Sequence, residues 1–207
     1  MDEATIIEAL NGLATSTLHE VMDKRNTLWP RIRPLWQPLR LCGPAFTVQG
    51  RPGDNLAAHW ALSVAPAGVV LVIATEGDSH CAGWGEITTI AAQTRGLRGL
   101  ITDSAVRDTE ACRRHGFPIF SQGISIKGTS KAYPGALNVP IVCAGALVRP
   151  GDYMVADEDG IVVVPREQAE TVIQKARQKE AKEAEIMEHL RAGALTIDEL
   201  GLRGKLP

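Results

Sequence analysis

The chain is short of several things, and each shortage excludes a class of protein. Cysteine is scarce: Cys42, Cys81, Cys112 and Cys143 are the only four in 207 residues, and no two form a C-x-x-C pair. A disulfide framework is therefore not expected, nor is a zinc cage, and the four read as reduced thiols of a cytoplasmic protein. Positive charge is not in excess. With 22 Lys and Arg against 24 Asp and Glu, the net charge is -2, so a broad basic face for nucleic acid is not implied. No long hydrophobic run is present. The longest, Val69 to Ala74, is far too short to span a bilayer. The opening stretch MDEATIIEAL is acidic and lacks the basic region of a signal peptide. Internal repeats and low-complexity segments are also absent.

What is present describes an ordinary globular protein, with 44% hydrophobic and 22% charged residues. The length suits one domain over residues 1–207, with N-terminal helices and a connector at 1–38 and a helical tail at 166–207. Apolar periodicity predicts a helix over Thr5–Leu13. Thr17 and Glu20 suggest a capping box for a second helix, Leu18–Lys24, on which His19 is a surface or core-edge residue. The proline-rich stretch Leu28–Pro38 reads as an irregular connector, whose Trp29 and Trp36 cover a core or a subunit contact. Strands are expected at Leu41–Gln49, Val69–Ala74, Gly99–Thr102 and Pro118–Ser121. Between them come helices at Asn55–Val64 (capped by Asp54, with His59 and Trp60 packed structurally), Glu86–Gln93 and Asp108–His115, with Asp103–Arg107 a loop. This alternation indicates an α/β sandwich with a largely parallel sheet. Ile124–Pro134 reads as a polar functional loop. Short antiparallel strands follow at Asn138–Cys143, Asp152–Ala156 and Ile161–Val164. Glu167–Ala192 is one long charged helix with a narrow apolar stripe, which suits a helix partly exposed or laid on a neighbouring subunit.

Three groups of residues could carry chemistry. The pattern Gly83-x-Gly85-x-x-Thr88 is a poor dinucleotide fingerprint, because Thr88 replaces the third glycine. Gly85, Glu86, Ile87 and Thr88 fit better as a helix N-terminus whose free N–H groups hold a carboxylate, or simply as an ordinary helix start. Arg107-Asp108 is either a surface ion pair or, at the carboxyl end of a parallel strand, a guanidinium for an oxyanion beside a carboxylate for a hard cation. The acidic set Glu76, Asp78 and Glu86 could hold metal-bound waters, although turn chemistry accounts for Asp78 equally well. A helix followed by a returning strand brings Gly85–Thr88 and Arg107-Asp108 to the same sheet edge.

At these residues the chain resembles the RraA-like family. The matching text is GDN at 53–55, the run WGEITTIAAQTRGLRGLITDSAVRD, and GD at 151–152. The resemblance covers roughly Leu41 to Leu202. Its specific part is an acidic residue, twenty intervening residues, then Arg-Asp, here Glu86…Arg107-Asp108; some family members carry aspartate at the first place. The family includes class II 4-hydroxy-4-methyl-2-oxoglutarate and 4-carboxy-4-hydroxy-2-oxoadipate aldolases. The resemblance implies a swivelling β/β/α sandwich, like that of phosphohistidine domains, with a long C-terminal helix. It implies a homotrimer or hexamer with sites between subunits, and a divalent metal, Mg2+ or Mn2+, whose one side-chain ligand is Asp108. Arg107 is then the partner of the keto or enolate oxygen, and Gly85–Thr88 hold the carboxylate of pyruvate. A glutamate on a neighbour's C-terminal helix, assigned to Glu183, helps hold the metal's waters.

The expected reaction cleaves a 4-hydroxy-2-keto acid to pyruvate and a second keto acid, and a water or hydroxide on the metal serves as base. The pyruvate enolate is stabilised by the cation and by Arg107. The same enolate forms when oxaloacetate loses carbon dioxide, so decarboxylation is an expected second activity. No Schiff-base lysine is required, and Lys127 and Lys131 read as anion-binding residues. Some members of the family are regulators that bind an RNA-degrading enzyme; they look like members without the metal-binding aspartate, which this chain keeps as Asp108.

Overall fold

The computed structural model describes residues 1–206. In chain order the elements are α1 (Glu3–Asn11), α2 (Thr15–Val21), β1 (Arg33–Pro34), β2 (Leu41–Gln49), α3 (Leu56–Val64), β3 (Val70–Ala74), β4 (Ala82–Trp84) and α4 (Glu86–Thr94). They continue with β5 (Gly99–Val106), α5 (Thr109–His115), β6 (Ile119–Ile124), β7 (Ala136–Leu137), β8 (Ile141–Cys143), β9 (Ala146–Val148), β10 (Tyr153–Ala156), β11 (Ile161–Val164), α6 (Ala169–Arg191) and α7 (Thr196–Glu199).

One sheet runs in the order β1-β6-β5-β3-β2-β10-β11. Its centre, β2, β3, β5 and β6, is parallel, and β1, β10 and β11 pair antiparallel at the edges. The period-2 alternation of a strand sorts the side chains into two cores. On β3, Leu71 and Ile73 face α3, α4 and α5, while Val70, Val72 and Ala74 face the β8–β9 hairpin and the connector residues Leu28 and Ile32. Cys42, on the same face of β2 as Phe46 and Val48, joins a third cluster with Tyr153, Val155, Val162 and Val164 under α1, α2 and α6. The result is a hairpin layer, a central sheet and a helical layer.

Several boundaries differ from the sequence reading. The polar run Asp103–Arg107 is not a loop, because β5 continues to Val106. Its polar groups have partners: buried Asp103 accepts from the Thr75 N–H at 2.6 Å and the Gly77 N–H at 3.1 Å. The α2 helix starts at Thr15 rather than behind a Thr17/Glu20 box. Its cap comes from far away in sequence, since Asp157 accepts from both the Thr15 N–H and its hydroxyl. The connector contains the two-residue strand β1, and β4 is an additional strand. The strand expected from Asn138 begins only at Ile141, and β9 is additional.

The long helix also divides in two. Ala169, Val172, Ile173 and Ala176, at helical spacing, are buried against the chain's own α1 and α2, so this half of the stripe is covered without a neighbouring subunit. Beyond Ala176 no residue of the helix is buried, and Met187 is 47% exposed. Among the described residues no helix is long and apolar enough to cross a membrane.

Candidate active site

The carboxyl end of β5 and the start of α4 meet, because β4 pairs with the last residues of β5 and feeds directly into α4. Arg107 follows β5, and its N–H donates to the Trp84 carbonyl at 2.9 Å. Asp108 takes the left-handed conformation at φ 56°, uncommon for a residue with a side chain, and this turns the chain into α5. Its Oδ2 accepts from the Glu86 N–H at 3.0 Å and lies 3.7 Å from Arg107 Nε. Both side chains remain nearly half exposed, so their mutual attraction is weak and both stay available to a ligand.

Gly85 makes this approach possible. A Cβ there would sit 2.4 Å from Asp108 Oδ2 and 3.1 Å from Arg107 Cγ. The Gly85→Ala variant is therefore expected to displace the Asp108 carboxylate and to lower stability by about 1–3 kcal/mol, the usual cost of overpacking. Retained secondary structure by circular dichroism with a lowered melting midpoint is the expected result; a variant as stable as the unsubstituted protein would contradict the geometry.

The α4 N-terminus is narrower as an anion site than the sequence suggests. The Gly85 N–H donates to the Thr88 hydroxyl at 3.0 Å, and the Glu86 N–H is taken by Asp108. Helix geometry leaves the first-turn N–H groups without intrahelical partners, so Ile87 and Thr88 are the free donors, and both line the adjoining cavity. That cavity, of about 170 Å³, is lined by Trp84 and Gly85, by Arg107 and Asp108, by Asn55 and His59 at α3, and by Gly128, Thr129 and Lys131. It is smaller than the roughly 300–1,000 Å³ of drug-sized ligand sites, which suits a small acid rather than a dinucleotide.

The other sequence candidates fall elsewhere. Glu86 does not line the cavity, and its Oε1 lies 3.2 Å from His115 Nε2. Asp78 is occupied by one local and one distant contact, accepting from the N–H groups of His80 at 2.9 Å and Gly53 at 2.8 Å. Glu183, on the uncovered half of α6, pairs with Lys179 at 2.6 Å. Lys131 lines the cavity, whereas Lys127 contributes its carbonyl to the Ala82 N–H. The four cysteines are free and buried. Burial raises the thiol pKa of Cys112, the one beside Arg107, despite a hydrogen bond with Thr89, so no thiolate nucleophile is poised here.

His59, expected to pack structurally, is instead a cavity residue. Burial, and next the charge of Lys131, hold its pKa below the ordinary histidine value, so the ring is neutral at pH 7. Helix α3 begins at Leu56 with Asn55 in the formal cap place, but Asn55 makes no capping bond, and the Asp54 carboxylate accepts from the Leu56 N–H at 2.9 Å, so Asp54 caps the helix as expected. Burial pushes its carboxyl pKa up, but hydrogen bonds from Ser130 and from the N–H groups of Leu56 and Ala132 outweigh this and bring it to about 2.

A family model described as RraA-like, Aldolase/RraA, matches residues 4–163. The chain belongs to the RraA-like family. Within the family, a Halalkalibacterium halodurans protein provisionally named 4-hydroxy-4-methyl-2-oxoglutarate aldolase is 39% identical over 179 residues, covering 86% of this chain and 85% of that protein. Among solved structures, an uncharacterized Pseudomonas syringae pv. tomato protein superimposes with a TM-score of 0.83 at 31% identity, covering 95% of this chain and 92% of the other. A Streptomyces coelicolor protein described as an unusual member of the RNase ES inhibitor RraA family gives 0.80 at 29% identity, covering 88% and 96%. The mixed α/β sandwich with a long C-terminal helix is thus the fold of RraA-like proteins.

Proposed function

We propose that the chain is a divalent-metal-dependent class II aldolase that cleaves a 4-hydroxy-2-keto acid to pyruvate and a second keto acid, and that the same site decarboxylates oxaloacetate. The observation that carries this reading is the convergence of Arg107, Asp108 and the α4 N-terminus on one small cavity. A Mg2+ or Mn2+ ion fits the donors. Asp108 offers a hard oxygen, fixed by the Glu86 N–H and admitted by the bare Gly85. Among the described residues no three His, Cys, Asp or Glu side chains gather into a cage. One carboxylate plus waters is the environment that such hydrated cations accept.

When bound there, the cation supplies Lewis acidity to the substrate's keto oxygen. Arg107 donates to the same oxygen through its planar fork and opposes the enolate charge that grows as the C–C bond breaks. The Ile87 and Thr88 N–H groups hold the adjacent carboxylate at the positive end of α4. Lys131 and neutral His59 line the space left for the second fragment.

The test follows pyruvate release from a panel of 4-hydroxy-2-keto acids and from oxaloacetate, before and after chelation. Chelator should abolish both activities and added Mg2+ or Mn2+ restore them; full activity after exhaustive chelation sinks the proposal. The competing reading, a protein-binding regulator, draws on structural relatives described as a member of the RNase ES inhibitor RraA protein family and as an RNA-processing inhibitor. Arg107-Asp108 at the cavity favours chemistry, and inhibition of a ribonuclease with no pyruvate release in the assay decides for the regulator.

We further propose that the working form is a homotrimer or hexamer. The uncovered half of α6, with Met187 exposed and Ile186 and Leu190 half-buried, then lies on a neighbour and brings Glu183 to that neighbour's site. Sedimentation at micromolar concentration should give a trimer or larger; a monomer alone counts against the assembly and against Glu183.

A further inference from the structure

One wall of the cavity has no secondary structure of its own, yet it carries Thr129 and Lys131. Upstream, the Lys127 carbonyl ties it to β4 through the Ala82 N–H at 2.8 Å. Downstream, β7 pairs with the end of β2, where Gly135 has φ +64° and no room for a side chain against the Gln49 carbonyl. Between these anchors the segment converges on one buried carboxylate. Asp54 is 5% exposed, although it belongs to an otherwise open turn. Its Oδ1 accepts from the Leu56 N–H at 2.9 Å, at the start of α3. Its Oδ2 accepts from the Ala132 N–H at 2.7 Å and from the Ser130 hydroxyl. Main-chain bonds run alongside, from the Ser130 N–H to the Gly53 carbonyl at 2.8 Å and from the Asn55 N–H to the Ser130 carbonyl at 3.1 Å.

We propose that Asp54 is a positioning residue that clamps the Gly128–Ala132 segment to the start of α3 and so holds Lys131 over the cavity. A local cap needs only the bond to Leu56; the bonds to Ser130 and Ala132, 76 and 78 residues away, join two walls of one site. Asn55 and His59 stand on the α3 wall, so the clamp sets the spacing between His59 and Lys131. A carboxylate is the right group, because it accepts on both oxygens and brings no donor to clash with three incoming N–H and O–H groups. Burying it unpaired would be costly; the Leu56, Ala132 and Ser130 donors satisfy it, which makes the junction stiff.

The experiment uses the full chain with Asp54→Asn and the milder Ser130→Ala, and reads amide hydrogen exchange first. In Asp54→Asn, exchange at Ser130 and Ala132 should accelerate tenfold or more while the amides of β3 and β5 keep their protection. Ser130→Ala should move the same amides less. Unchanged exchange at Ala132 in both variants overturns the clamp, and this arm is independent of the reaction. The second arm rests on the aldolase reading and uses the keto acid that the wild-type protein cleaves. Asp54→Asn and Lys131→Met should each raise KM about tenfold with kcat much less affected. The double variant should be no worse than the poorer single one, since both remove the same contact. Loosened exchange with wild-type KM, or fully additive effects, overturns the link from Asp54 to Lys131. A wild-type protein that cleaves no keto acid defeats the aldolase reading alone and leaves the exchange result to decide the clamp.

Discussion

Arg107→Lys is expected to lower turnover by roughly 100- to 1,000-fold while leaving metal binding intact. Lysine keeps the charge but loses the planar, multiply donating fork, so one of the groups opposing the enolate charge is misplaced. Removing a single oxyanion donor from a preorganised site typically costs about 2.7–4 kcal/mol. Arg107 is in a position to be missed, since its backbone is fixed to Trp84 and its side chain borders the cavity. Cleavage of the 4-hydroxy-2-keto acid and decarboxylation of oxaloacetate should fall together, because in the proposed mechanism both pass through the same enolate. Rates for the two reactions, with Mn2+ affinity measured alongside by paramagnetic resonance, check this. A variant that loses cleavage and keeps decarboxylation would show that Arg107 touches only the tail of the substrate.

Asp108→Asn should fail at the preceding step. The side chain keeps its shape but loses the charge that attracts the cation. At an effective dielectric near 20, a carboxylate and a divalent cation about 4 Å apart attract by on the order of 8 kcal/mol; water around the exposed site screens much of this, so the proposed metal affinity should drop by roughly 1,000-fold or more and activity with it. Saturating Mn2+ should recover part of the rate in Asp108→Asn and none in Arg107→Lys, which separates cation holding from charge stabilisation. The control is structural. The Glu86 N–H bond to Asp108 survives if the asparagine oxygen takes the Oδ2 place, and an unchanged circular dichroism spectrum would report that α4 and α5 still form. Normal metal affinity in Asp108→Asn would remove Asp108 as the ligand.

Most of the helical layer and the parallel centre of the sheet were legible in the sequence. β3 is a continuous apolar run between turn residues, and α3, α4 and α5 separate the strands at ordinary crossover lengths, so local pattern and global fold agree. The elements that were misread are those whose local chemistry is overruled by distant partners. Asp103 and Ser104 look like a loop until Thr75, Gly77 and the Cys81 carbonyl satisfy them. Thr15 begins a helix because Asp157 caps it from 142 residues away.

The sequence by itself determined the central pair and its neighbour. Arg107-Asp108 closes the crossover that begins at Gly85, and the right-handed β-α-β connection has to return both ends to one edge. Which groups complete the site was decided by tertiary structure alone. Glu86, an acidic residue in a suggestive place, turns to His115, while His59, Asn55 and Lys131 become cavity walls. Nothing in the periodicity distinguishes a histidine that packs from one that faces a cavity. Asp54 has the spacing of a local cap, yet its second oxygen is used by Ser130 and Ala132. The physical reason is common to all of these residues: a side chain's role depends on the donors and charges that the rest of the chain brings within a few ångströms, and those partners lie 29 to 78 residues away for Glu86 and Asp54.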